Sequence, residues 1–165
     1  MNFLARIIGT VFFVGNLRSA PGTWGSFAAL PFAYFFYQVG GVYLFLTAIV
    51  VGFFKGWWAT AQMTKGAADH DPSEIVIDEV IGQWIALLPI LYAARSLEIN
   101  PMVLWPGWIA AFILFRAFDI LKPGPIGWAD KRDDAFGVML DDVLAGVFAA
   151  IGVVALAAFF HFVLM

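Results

Sequence analysis

The chain has 165 residues, 62% of them hydrophobic and 13% charged, where a soluble domain runs near half apolar and about a quarter charged; this excludes an ordinary soluble domain and predicts an all-α, polytopic membrane helical bundle. The absence of cysteine excludes disulfide frameworks, thiolate metal sites and cysteine nucleophiles. A net charge of −3 excludes the broad basic surface that a nucleic-acid partner needs.

Taken in chain order, positions 2–15 form a short apolar run interrupted by Arg6. They lack the basic start and small-residue end of a cleavable signal and read as a retained interfacial helix. "RSAPGTWGS" follows at 18–26, with Pro21, Gly22 and Gly25 to set a tight turn and Thr23 or Ser26 placed to cap the next helix. Two readings stand: an ordinary capped turn with Trp24 at headgroup level, or a glycine turn that presents backbone N–H groups to a substrate anion beside Thr23 and Ser26. Segment 27–38 is short and holds Pro31, which leaves a broken span, a re-entrant piece or an interfacial helix open. Segments 41–59, 75–94, 102–115 and 143–165 are apolar enough, or nearly long enough, to cross a bilayer, the last carrying only His161 as a polar interruption.

Parity decides among these. If 27–38 crosses, with Gly40 and Gly41 as a turn, about five spans alternate and eight of the nine basic residues share one face, leaving Arg95 alone on the other. The positive-inside rule makes that shared face cytoplasmic. Every acidic residue except Glu98 falls on it too. No internal repeat divides the chain, so 1–165 reads as one membrane domain.

The stretch "HDPSEIVIDEVIGQW" at 70–84 puts four carboxylates at the mouth of an apolar run. A helix beginning at Glu74 would place Glu74 and Asp78 on one face and Glu79 and Gln83 on another, with Gly82 between. A solvated helix start, with Ser73 as cap and Glu74 near the positive end, accounts for Glu74. It fits Asp78 and Glu79 poorly, because apolar residues flank both, and ionisable groups inside such a run mark a functional site. His70, beside Asp71, is either a general acid for a leaving oxygen or a chemically silent loop residue. The match of 69–73 to an Asp-x-Asp phosphatase nucleophile lacks the hydrophobic strand that motif follows, and is set aside.

A second cluster repeats the chemistry in "FRAFDILKPGPIGWADKRDDAFGVMLDDVLAG". Arg116, Asp119 and Lys122 are spaced by three, hence on one face of a helix that Pro123 stops. Asp141 and Asp142 are expected to open the final span, where the helix dipole favours them. Lys131, Arg132, Asp133 and Asp134 read as a solvated, mutually compensating turn, with the role of Asp130 open. Two acidic pairs on one membrane face repel unless a cation lies between them. Magnesium suits carboxylates and substrate phosphates, and Arg116 and Lys122 supply what a phosphate needs; together these residues read as phosphoryl chemistry.

"APGTWGS", "HDPSEIVIDEVIGQW" and "FRAFDILKP" with "GVMLDDVLAG" resemble the three signature blocks of the bacterial phosphatidylglycerophosphatase A family, over about 20–146 of the chain. The resemblance implies a magnesium-dependent enzyme of the inner membrane, acting on its cytoplasmic side, that removes the terminal phosphate of a phospholipid substrate, phosphatidylglycerophosphate. It places the family's acidic motifs on His70, Asp71, Asp78, Glu79, Asp119, Asp130, Asp141 and Asp142 and its basic ones on Arg116 and Lys122. Ile77 and Gly124 stand where the family often has tryptophan, and Ala135 and Phe136 where it often has paired glycines. The roles expected are metal ligation by Asp78, Glu79, Asp141 and Asp142, phosphate binding by Arg116 and Lys122, and catalysis drawn from His70, Asp71, Asp119 and Asp130. Attack by a metal-activated water or by a carboxylate nucleophile would both fit. The rival class is an ion- or proton-coupled transporter, which should carry polar groups through the bilayer depth; here they stop after Gln83.

Overall fold

The computed structural model describes residues 2–17, 19–66 and 71–164, and every regular element among them is helical. Helix α1, Phe3–Gly9, starts where the Asn2 side chain accepts the Leu4 N–H at 3.1 Å. It is shorter than the interfacial helix expected over 2–15. Val11, Phe12 and Phe13 take φ values of 48°, 54° and 69°, a left-handed path costly for residues with a branched or bulky side chain. The Thr10 hydroxyl holds that turn, donating to the Arg6 carbonyl at 2.8 Å and accepting the Phe13 N–H at 3.0 Å.

Helix α2, Pro21–Met63, has 43 residues, which run straight would reach about 65 Å, twice a bilayer core. It does not run straight. Gly41, at φ 62° and ψ −161°, breaks the helix together with Gly40, and the chain reverses. The backbones of Gly25 and Gly56 both lie against the start of the third helix, at Val76 and Ile77, whereas Gly41 faces Arg95 near that helix's other end. There the Arg95 guanidinium sits 4.7 Å over the Tyr43 ring. Two antiparallel arms result, 21–39 and 42–63. Pro31 lies inside the first arm without a break in its backbone, so of the readings open for 27–38 the continuous arm is the one adopted. Because Gly41 occupies a backbone region essentially closed to other residues, Gly41→Ala should cost on the order of 1–3 kcal/mol, measured as a lowered midpoint of thermal unfolding in detergent.

The remaining helices are α3, Ile77–Ser96; α4, Trp105–Leu121; the short α5, Pro125–Asp130; and α6, Ala135–Leu164. Among the described residues four helices are long and apolar enough to cross a membrane; with α2 folded into two arms, they give five apolar arms. Helix α3 is the axis: 61% of its apolar window is buried inside the bundle, against 22% in each of the others. Trp84 ties both arms of α2 to it. Its indole N–H donates to the Ala29 carbonyl at 2.9 Å, and its ring centroid lies 5.4 Å from Phe36 and 5.7 Å from Phe45. The hydrogen bond satisfies the only polar atom that this large buried side chain brings into the core.

Two helix starts differ from expectation, each for a local reason. Helix α3 begins at Ile77 rather than Glu74, since the Val76 N–H is taken by the Gly9 carbonyl at 2.9 Å and Glu74 pairs with Arg6 at 3.9 Å. Ser73 is therefore no cap, and Glu74 does not share a helix face with Asp78. Helix α6 begins at Ala135, eight residues before the expected span, because the Asp134 carboxylate accepts the Gly137 N–H at 2.8 Å and starts it early. Asp141 and Asp142 consequently lie beyond the first turn. The helix dipole, which fades within that turn, does not account for them.

Candidate functional site

At one end of the bundle the starts of α2, α3 and α6 meet the end of α4 and enclose a cleft of about 370 Å³. The approach of α3 to α6 sets its floor. Gly146 lies directly against the Gly82 carbonyl, and a Cβ at Gly82 would come within 2.6 Å of the Asp142 carbonyl oxygen. With no side chain at either position the two backbones close up, as small residues allow in membrane bundles. Asp78 stands one turn before Gly82 and Asp142 one turn before Gly146, so the crossing carries these two acids toward each other.

Asp78, Glu79 and Asp142 each bring a carboxylate oxygen within 4.8 Å of the others. Asp78 is 6% exposed and Asp142 2%. Asp78 Oδ1, Glu79 Oε2 and Asp142 Oδ1 are buried and have no hydrogen-bond partner among the described residues. Buried anionic oxygens left unpaired are costly, and a cation shared by the three carboxylates would satisfy them. The donor set, three hard carboxylate oxygens, fits magnesium, whose oxygen ligands at 2.0–2.1 Å put opposite atoms roughly 4.2 Å apart.

The cations of the cleft are held by other acids. Arg116 binds Asp119 directly, and its Nη1 lies 3.4 Å from the Ser26 hydroxyl and 4.0 Å from Glu79 Oε1. Lys122 leaves the helical path at φ 44°, which swings its ammonium between Asp130 and Asp141, the latter at 2.7 Å. Burial alone would lower the Lys122 pKa; the hydrogen bonds to Asp130 and Asp141 outweigh it and raise the pKa above the usual lysine value, so the site keeps a fixed positive charge.

The placement of each expected residue is specific. Asp71 lines the cleft with Asp78, Glu79, Asp119, Asp141 and Asp142, beside Arg116 and Lys122. Asp141 shares the cleft but not the trio: one of its oxygens faces Lys122 and the other accepts the Asp142 N–H at 3.0 Å. Asp130 is a partner of Lys122. Neither Thr23 nor Ser26 caps α2, which starts earlier, at Pro21; the Ser26 hydroxyl turns back to the Gly22 carbonyl at 2.8 Å and meets Arg116 from behind. His70 lies outside the described residues. Arg132 and Asp134 form an exposed pair at 2.8 Å, as a solvated turn should.

The family model described as Phosphatidylglycerophosphatase A matches residues 7–157, nearly the whole chain. The chain belongs to the phosphatidylglycerophosphatase A family. A Haemophilus influenzae protein named Phosphatidylglycerophosphatase A is 37% identical over 92% of this chain and 87% of its own length. An Escherichia coli protein of the same name is 37% identical over 79% of this chain and 70% of its own. A Bacteroides thetaiotaomicron protein, provisionally named a phosphatidylinositol-3-phosphatase, is 39% identical over 91% of each. No solved structure matches the chain.

Ile77 and Phe136, two of the positions that the resemblance sets apart, both take part in packing. Phe136 packs edge-on against Phe53 and Trp57, at 6.1 and 5.4 Å between centroids, and Ile77 lies against Gly56. Reading residue types for chemistry passes over Gly22, because glycine carries none. A side chain there would strike Glu79 Oε1 and come within 3.2 Å of Arg116 Nη1. Gly22→Ala should therefore turn Glu79 away from the trio and lower phosphate release on the order of tenfold to a hundredfold, since a misplacement of about 1 Å costs that much. Unfolding midpoints should change little, because Glu79 is the flexible partner; steady-state kinetics beside a melting curve checks both.

Proposed function

We propose that this protein is a magnesium-dependent lipid phosphatase that hydrolyses phosphatidylglycerophosphate to phosphatidylglycerol and phosphate at the cytoplasmic face of a bacterial inner membrane. The observation that carries the reading is that Asp78, Glu79 and Asp142 converge, each with one buried oxygen lacking a hydrogen-bond partner among the described residues, in a cleft that also presents Arg116 and Lys122. Family membership supports the activity, and the parity that gathers eight of the nine basic residues on one membrane face supports the orientation.

Asp78, Glu79 and Asp142 would hold the cation. Once bound, it would polarise the phosphate and raise the acidity of a water. Arg116 and Lys122 lie in the same cleft and offset the charge of the phosphate oxygens. Asp119, bound to Arg116, and Asp130 and Asp141, bound to Lys122, aim those two cations. Asp71, at the cleft wall, and His70 remain the candidates for delivering a proton to the leaving glycerol oxygen. The acyl chains stay in the lipid, so only the headgroup enters.

The test is phosphate release by purified protein from phosphatidylglycerophosphate in mixed micelles, with magnesium and with a chelator. The reading expects turnover that the chelator abolishes and magnesium restores. Phosphatidylinositol 3-phosphate, the substrate class in the Bacteroides relative's name, belongs in the same assay as a second arm, where slower turnover is expected. Ion flux through reconstituted protein without phosphatase activity would favour the transport alternative and overturn the reading.

A further inference from the structure

We propose that Gln83 is a positioning residue for Glu79 and Arg116, an assignment that rests on the phosphatase reading above. Gln83 is fully buried, and neither its amide nitrogen nor its amide oxygen has a partner among the described residues. Leaving a buried amide unpaired is costly, because it has lost its water without gaining a partner. Such a side chain is out of place in an apolar core unless a working state of the protein gives it partners.

Its position names them. Gln83 follows Glu79 by four residues on α3 and so lies beneath it on one face. To one side of it Gly82 meets Phe115 of α4, and to the other Trp84 meets Ala29 in the first arm of α2. Gln83 therefore points into the wall between α4 and that arm, where Arg116 meets Ser26 and Glu79. Glu79 Oε2 and Arg116 Nε are also buried without partners. The four orphaned atoms are complementary: the Gln83 amide N–H can donate to one lone pair of Glu79 Oε2, the other remaining for a cation, and its carbonyl can accept from Arg116 Nε, directly or through one buried water. An amide in this place orients a carboxylate without neutralising it. It also fixes Arg116 by its inner nitrogen and does not compete for the outer ones, of which Nη1 already meets Asp119.

The test is Gln83→Met, similar in length and apolar, with Mn²⁺ binding measured by isothermal titration and with kcat and KM measured in parallel. Groups that orient a metal ligand are worth 10–100-fold in affinity or activity. Expected are Mn²⁺ affinity and kcat both lower by about that factor, with an unfolding midpoint in chelator equal to or above wild type because an unpaired amide has been removed. Gln83→Asn, one methylene shorter and still polar, should fall in the same direction and is the second variant if the methionine protein does not fold. Mn²⁺ affinity and kcat within threefold of wild type in a folded variant would overturn the assignment. Wild-type protein that binds Mn²⁺ but releases no phosphate would sink the phosphatase reading instead, and the titration arm would still judge Gln83.

Discussion

Asp78→Asn and Asp142→Asn should each reduce phosphate release by two orders of magnitude or more while making the protein in chelator no less stable than wild type. The first effect follows from removing an anionic ligand: a neutral amide oxygen holds a hard divalent ion less tightly, and the barrier rises with every loss of charge stabilisation at the phosphate. The second follows from the same geometry. Three carboxylates with oxygens within 4.8 Å of one another, two of them on buried residues, repel in the absence of a cation. Replacing one by an amide relieves that repulsion, the familiar exchange of stability for activity at a functional site. Kinetics and melting curves with and without magnesium read both. Wild type should gain stability on adding magnesium, because a ligand that binds the folded state shifts the equilibrium toward it, and the variants should gain little. An Asp78 variant that melts lower and still turns over at a tenth of the wild-type rate would contradict this account.

Gly82→Ala and Gly146→Ala should damage both fold and function. A Cβ at Gly82 meets the Asp142 carbonyl at 2.6 Å and Phe115 Cζ at 2.8 Å, while one at Gly146 meets the Gly82 carbonyl and lies 3.0 Å from Ile85 Cβ. Backbone on both sides leaves no flexible side chain to yield at the crossing, so α3 and α6 must part. Overpacking of that kind costs about 1–3 kcal/mol. The displacement also widens the gap between Asp78 and Asp142, so turnover should drop roughly a hundredfold. Unlike the carboxylate variants, the glycine variants should lose stability and activity together, and that contrast separates a residue that sets the geometry from one that does the chemistry.

Much of this site was legible in the residues themselves. Apolar runs locate the arms, and a turn at Gly40 and Gly41 is the arrangement under which the basic residues gather on one face. The acids were conspicuous because Asp78 and Glu79 interrupt an apolar run. What the pattern concealed depended on distant partners. The start of α3 shifted because Gly9, far away in sequence, takes the Val76 N–H. Asp141 left the expected quartet because Lys122, in a left-handed turn that no pattern of spacing reveals, claims one of its oxygens. The sequence does carry one sign of this convergence. Asp78 and Asp142 are each followed four residues later by a glycine, and a carboxylate one turn before a glycine, repeated in two membrane helices, places two acids where two backbones can touch.

The most direct measurement is Mn²⁺ binding followed by electron paramagnetic resonance, on wild type and on the Asp78→Asn, Glu79→Gln and Asp142→Asn variants in detergent without substrate. The account predicts a saturable site in wild type that magnesium competes away and that each substitution weakens, with Asp141→Asn affected less because that carboxylate serves Lys122. Mn²⁺ bound with unchanged affinity by all three variants would show that these oxygens do not share an ion.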